Sequence, residues 1–198
     1  MKYDYIDELE QRNYELSLEL LKFAFKNQAE EFEKEKYVYK FGKIMNNDYM
    51  DRAIELSRIG IENGGGPFGA VIIRNDEIIA EAHNTVTIEN DPTAHAEINA
   101  IRTAARLLGR FDLSDCEIYS SCEPCPMCLS AIYWAKISTV YYANTRHDAA
   151  HIGFSDEFIY NELEKENTNK QVQLIHIENP AAKEVFNKWL QKEDRVEY

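Results

Sequence analysis

Two short stretches carry side chains that could hold a metal and move protons. Thr-Ala-His-Ala-Glu at 93–97 sets His95 two residues before Glu97. Pro-Cys-Pro-Met-Cys at 124–128 sets Cys125 three residues before Cys128. One imidazole and two thiolates supply three ligands for Zn2+, and the tetrahedral preference of zinc leaves the fourth position to water. Structural zinc sites are instead closed by four protein ligands. Zinc lowers the pKa of bound water to about 7, and a carboxylate such as Glu97 can then act as general acid and base beside it. One zinc ion per subunit is therefore the expected cofactor.

Each half has a plainer reading. A lone Cys-x-x-Cys can be a redox pair or half of a zinc ribbon, and a lone His-x-Glu carries almost no signal. Both halves together, in this order, carry the zinc reading. Cys122 and Cys125 form a second possible pair. With Cys122 as a fourth ligand the site would be closed, and the domain would be a metal-stapled interaction module. Pro126 favours 125–128 as the helix-borne pair, which leaves Cys122 as a small buried residue at a strand end.

These residues need helix starts and strand ends to hold them. Asp91-Pro92-Thr93 marks a helix start, with Asp91 or Thr93 as cap, and predicts a helix to about Leu108 that stops at Gly109. His95 would lie in its first turn. Pro126 opens a second helix, to about Ala135. Upstream, Asn46-Asn47-Asp48 caps a helix over 49–62. Gly64-Gly65-Gly66-Pro67 then breaks the chain. It lacks the Lys-Ser/Thr of a phosphate loop and precedes a strand, so it reads as a loop where backbone comes close to another segment. Phe68–Ile73 and Glu77–Ala82 read as a hairpin around Asn75-Asp76, and 116–121 and 138–143 as further strands. Residues 144–160 read as irregular. Gln171–Ile177 reads as another strand, 181–190 as a helix and 191–198 as a polar tail. The alternation predicts an α/β fold: a three-layer α-β-α sandwich with a mixed central sheet of about five strands.

Residues 1–46 differ in texture. Leu16, Leu20 and Phe23 form one helical stripe, Leu18, Leu21 and Phe25 another, and a mixed-charge run covers Glu30–Lys36. This predicts an N-terminal helical extension, packed on its own domain or clasping a partner, ahead of a zinc-dependent domain over 47–198.

The 198 residues carry 22 basic and 35 acidic side chains, a net charge of −13. Such a balance repels a phosphate backbone and favours a small-molecule substrate over nucleic acid. No apolar run suits a membrane span, and the first residues lack a secretory core. A cytoplasmic protein without membrane contact is expected. There, Cys122, Cys125 and Cys128, three within seven residues and with a His upstream, suggest a metal and not disulfides.

Three segments resemble the cytidine-deaminase-like superfamily: Gly-Pro-Phe-Gly-Ala-Val-Ile at 66–72, Asn-Asp-Pro-Thr-Ala-His-Ala-Glu at 90–97 and Ser-Cys-Glu-Pro-Cys-Pro-Met-Cys at 121–128. His-x-Glu followed by Pro-Cys-x-x-Cys is the signature of zinc nucleobase deaminases. Ala-Ile-Tyr-Trp-Ala at 131–135, Gly-Phe-Ser-Asp-Glu-Phe-Ile-Tyr at 153–160 and Glu-Tyr at 197–198 resemble its bacterial guanine deaminases. The resemblance implies zinc ligation by His95, Cys125 and Cys128, with Glu97 as proton shuttle. It implies that Asn84 hydrogen-bonds a purine, that Phe68 packs on it, and that Asp156 hands protons to the departing amine. It implies a pocket-lining Trp134 and a site-closing Tyr198, in some members from the partner of a domain-swapped homodimer. Ordinary alternatives stand beside each: core for Phe68, a loop amide for Asn84, a helix cap for Asp156, core or dimer interface for Trp134, a frayed end for Tyr198. The implied reaction is hydrolytic deamination of guanine to xanthine and ammonia, as in guanine catabolism. Guanosine, another small aminated heterocycle, or an adenosine in tRNA are the alternative substrates. The front extension falls outside the recognised pattern, and residues 161–190 match it only loosely.

Overall fold

The computed structural model describes the backbone of residues 37–40 and 43–197, and side chains from residue 47 to 197. The helical stripes expected within residues 1–36, and Tyr198, lie outside the described residues. Of the expected helical extension, residues 37–40 and 43–46 are strand, not helix. Tyr37–Lys40 (β1) and Lys43–Asn46 (β2) pair antiparallel, Tyr37 opposite Asn46.

The central sheet has four strands, in the order Glu77–His83, Gly69–Arg74, Glu117–Cys122, Val140–Asn144. Gly69–Arg74 (β3) and Glu77–His83 (β4) form the expected hairpin. Its turn residues, Asn75 and Asp76, both take positive φ, at 51° and 61°. Two such residues make the turn that matches strand twist, and Asn and Asp tolerate it better than most side chains. Glu117–Cys122 (β5) runs antiparallel to β3 and parallel to Val140–Asn144 (β6). The parallel pair needs a crossover, and Pro126–Trp134 (α2) supplies it.

The central strands β3 and β5 are buried on both faces because helices cover both. Ala70, Ile72 and Ile118 face Ala96–Leu108 (α3) and α2, in a core with Ala100, Ala104 and Ile132. Alanines at 96, 100 and 104 recur every fourth residue, so α3 seats close against the sheet. Val71, Ile73 and Tyr119 face Asn47–Glu62 (α1), against Ala53 and Leu56. At Gly69 an added Cβ would stand 2.1 Å from the Ala53 carbonyl oxygen, so only glycine lets α1 cross there.

Four expectations need correction. First, α3 begins at Ala96, not at Asp91–Thr93. Asp91 Oδ1 accepts from the Thr93 N–H at 2.8 Å and its hydroxyl at 2.7 Å, forming a turn of its own before the helix. Second, residues 144–160 are largely ordered. Arg146–His151 (α4) starts with a capping box in which Thr145 and Asp148 satisfy each other's backbone, and Glu157–Glu164 (α5) follows. Third, a short helix at Val86–Glu89 was not expected. Fourth, Gln171–Ile177 joins no sheet; residues 171–197 are exposed throughout, and the expected helix there spans Pro180–Gln191 (α6). Among the described residues the main sheet therefore has four strands, not five.

Candidate active site

The ends of β5 and the starts of α2 and α3 converge. Both helices begin on a ligand-type residue: His95 is the N-cap of α3 (φ −70°, ψ 157°) and Cys125 the N-cap of α2 (φ −64°, ψ 168°). Cys128 lies one turn into α2. Pro126 occupies the first turn, where its missing N–H costs nothing. Two helix N-termini thus aim partial positive charge at one point, which favours thiolates.

The Nδ1 of His95 lies 3.5 Å from the Sγ of Cys125 and 3.5 Å from that of Cys128. All three ligand atoms fall within 4.8 Å of one another, the only such cluster of metal-ligating side chains among the described residues. Hydrogen bonds from Cys128 and His95 push the Cys125 thiol down to about 4 against the effect of burial. Cys128 is pushed up because it donates to Cys125 and is buried. The bond to Cys125 pushes the His95 imidazole up. The cluster thus concentrates anionic sulfur and imidazole and still carries protons that a cation would displace, which fits a zinc ion.

Glu97 lies at the second position of α3 and is 5% exposed. Its Oε2 accepts from the Cys128 thiol at 3.4 Å and its Oε1 from the Ser120 hydroxyl at 3.0 Å. Burial, then the Cys125 charge, push its carboxyl up. Cys122 is not part of the cluster. Its thiol faces the Thr145 carbonyl at 3.6 Å, and burial pushes it up to about 11.

Asn84 is buried, at 6% exposure. Its Oδ1 accepts from the backbone N–H of Gly66 at 3.3 Å and of Val86 at 3.2 Å. The glycine loop permits this: a Cβ on Gly65 would stand 2.2 Å from the Asn84 carbonyl oxygen, and one on Gly66 3.2 Å from the Asn84 side chain. The close approach expected of the glycine loop is therefore made by Gly65 and Gly66, to Asn84. Two backbone donors fix which end of the amide is oxygen, so its Nδ2 is the end offered outward.

Asp156 is the N-cap of α5, yet its side chain makes no capping hydrogen bond. Burial first, and then the Cys125 charge, push its carboxyl up, with Arg146 opposing. Arg146 rests over the Tyr160 ring at 5.1 Å, and these two with Asp156 line a cavity of about 250 Å3. Phe68 is half-buried against the core and meets Phe154 edge to face at 5.0 Å. Trp134 ends α2 with 62% of its surface exposed. His83, His147 and His151 take no part in the cluster.

Sequence reasoning overlooked Ser120 and Phe154. The signal for Ser120 was present: a hydroxyl at an inward position of a strand otherwise filled by Ile118 and Cys122.

Residues 44–144 match the family model for the cytidine and deoxycytidylate deaminase zinc-binding region. The chain is 46% identical over 156 residues to the guanine deaminase of Bacillus subtilis, covering 78% of this chain and 100% of that protein. It is 33% identical over 144 residues to the tRNA-specific adenosine deaminase of Aquifex aeolicus, covering 73% and 93%. The crystal structure of the Bacillus subtilis enzyme superposes with a TM-score of 0.75, covering 78% of this chain and 99% of that one. The helix-capping histidine and paired cysteines thus sit inside a shared sequence and fold: the chain belongs to the cytidine and deoxycytidylate deaminase family.

Proposed function

We infer that this chain is a zinc-dependent hydrolase that converts guanine to xanthine and ammonia. The observation that carries the substrate is the likeness to a guanine deaminase along that protein's whole length, which takes in residues well beyond the zinc-binding region. The acidic balance, −13 overall, disfavours a tRNA substrate. The test is ammonia release from guanine, guanosine, cytosine, adenine and a tRNA anticodon stem offered in parallel. Release from guanine is expected, and release from the RNA alone would overturn the reading.

His95, Cys125 and Cys128 would hold the zinc. When bound, it supplies a Lewis acid that makes water nucleophilic near neutral pH. Glu97 takes the proton of the attacking water at Oε2, the oxygen on the cluster side, and delivers it to a ring nitrogen of guanine. The C2–O bond forms, and the C2–N bond breaks as the new C2 hydroxyl gives up its proton through Glu97 and Asp156 to the amine, which leaves as ammonia. Asp156, whose carboxyl burial holds above its ordinary range, is proposed to hand the last proton to that amine. Phe68, with Phe154 behind it, would offer a ring face to the purine, and Trp134 a wall beside it.

Asn84 would present Nδ2 as a donor, since Oδ1 is occupied by two backbone N–H groups. Asn84→Ala should lower kcat/KM for guanine by roughly 10- to 100-fold, mostly through KM, because an acceptor on the buried purine loses its partner. Steady-state kinetics on guanine measure this.

A homodimer with exchanged tails is the second part of the reading. Val172, Leu174, Ile175 and Ile177 are 55–80% exposed, as are Val185, Phe186 and Leu190 of α6 at 62–76%. Among the described residues no strand lies beyond β6 at that end of the sheet. A strand-forming stretch without a sheet and a sheet edge without a strand satisfy each other between two copies. Residues 171–177 would extend the partner's sheet beside β6, and Tyr198 would close the partner's site. Deleting residues 171–198 should turn a dimer into a monomer in sedimentation. A monomeric full-length chain contradicts the exchange. Its thiols, all free, suit the reducing cytoplasm, where we place the protein.

A further inference from the structure

On the sheet face covered by α3, the side chains that surround Ser120 are aliphatic: Ala70, Ile72 and Ile118. Ser120 is 1% exposed there, and Ala70 is its neighbour across β3. A hydroxyl buried among hydrocarbon is unfavourable unless it is hydrogen-bonded. Among the described residues its hydroxyl has one hydrogen-bond partner, Glu97, at 3.0 Å. In that bond the Ser120 hydroxyl donates and the carboxyl oxygen accepts. Its proton therefore points at Oε1 and fixes that oxygen on the sheet side.

The consequence falls on the other oxygen. A glutamate side chain has three rotatable bonds, and its terminal torsion is broad. Packing alone restrains the carboxylate poorly. With Oε1 bonded to Ser120, Oε2 faces the ligand cluster, 3.4 Å from Cys128. We propose that Ser120 is a positioning residue for the hydrolysis: it presents Oε2 of Glu97 to the reacting water and touches neither substrate nor metal. Holding a reacting group in place contributes through orientation, so its loss falls on turnover and not on substrate binding.

The test compares Ser120→Thr with Ser120→Val, two side chains of one shape that differ by the hydroxyl, and adds Ser120→Ala. Guanine turnover, zinc content and crystal structures are measured for each. Thr should keep kcat within about threefold of the parent, whereas Val and Ala lower it by about 10- to 100-fold, the worth of a hydrogen bond to a charged group. All should keep their zinc and hold KM within about threefold. In Val and Ala the Glu97 carboxylate should turn away from Oε2-inward or occupy more than one conformer. Val and Ala variants with parental kcat and an unmoved Glu97 would overturn the proposal, as would a Thr variant as slow as Val. The proposal rests on the guanine reading only for its substrate. A parent that leaves guanine unchanged refutes that reading, while the Glu97 conformer in the Val and Ala crystals still decides the role of Ser120.

Discussion

Glu97→Gln should leave zinc in place and lower guanine turnover by roughly 10^2- to 10^4-fold, the usual worth of a positioned general acid and base. The two side chains are nearly isosteric. The Gln amide oxygen can still accept from Ser120, so the fold around it has no reason to move. What is lost is the ability to take a proton at Oε2 and give it back. Stability should hold or rise, because burial already disfavours the charged carboxylate at this site. Metal analysis, thermal unfolding and steady-state kinetics separate the three effects. A variant that retains zinc and turns over at the parental rate removes Glu97 from the chemistry.

Stripping zinc with a chelator should abolish turnover and lower stability, and both should return on adding Zn2+. The reason lies in the cluster. His95, Cys125 and Cys128 cap or open two different helices, so one ion ties α2 to α3. At a metal concentration about a thousand times Kd, binding to the folded state alone contributes about 4 kcal/mol. Without the ion the same three groups share protons: Cys125 is held as a thiolate, and Cys128 and His95 are pushed towards their protonated forms. Calorimetric scans of stripped and reloaded protein read the stability, and ammonia release reads the activity. Full activity in protein shown to hold no metal contradicts the zinc reading.

Much of the site was legible because its signals are local. Pro126 places Cys125 at a cap and Cys128 one turn later whatever the rest of the chain does. The hairpin announced itself through Asn75-Asp76, and the end of α3 through Gly109, which takes a left-handed φ of 65°. The misreadings share a cause: one local pattern can serve two ends. Asp91-Pro92-Thr93 has the composition of a cap, but Asp91 spends its oxygen on Thr93 and hands the cap position to His95. Thr145-x-x-Asp148 is a capping signal that sequence reading passed over in a stretch rich in short polar residues. Gln171–Ile177 has strand composition, but pairing is a tertiary event that composition does not place. The inward hydroxyl of Ser120 was legible, but its partner and the orientation of the Asn84 amide were not, for a related reason. Each takes its meaning from a partner 18 to 23 residues away.

The most direct single measurement is the product formed from guanine by the zinc-loaded protein in oxygen-18 water, read by mass spectrometry. Hydrolysis at C2 should give xanthine carrying one heavy oxygen, with one ammonia per turnover. Guanine recovered unchanged, or xanthine without the label, would contradict it.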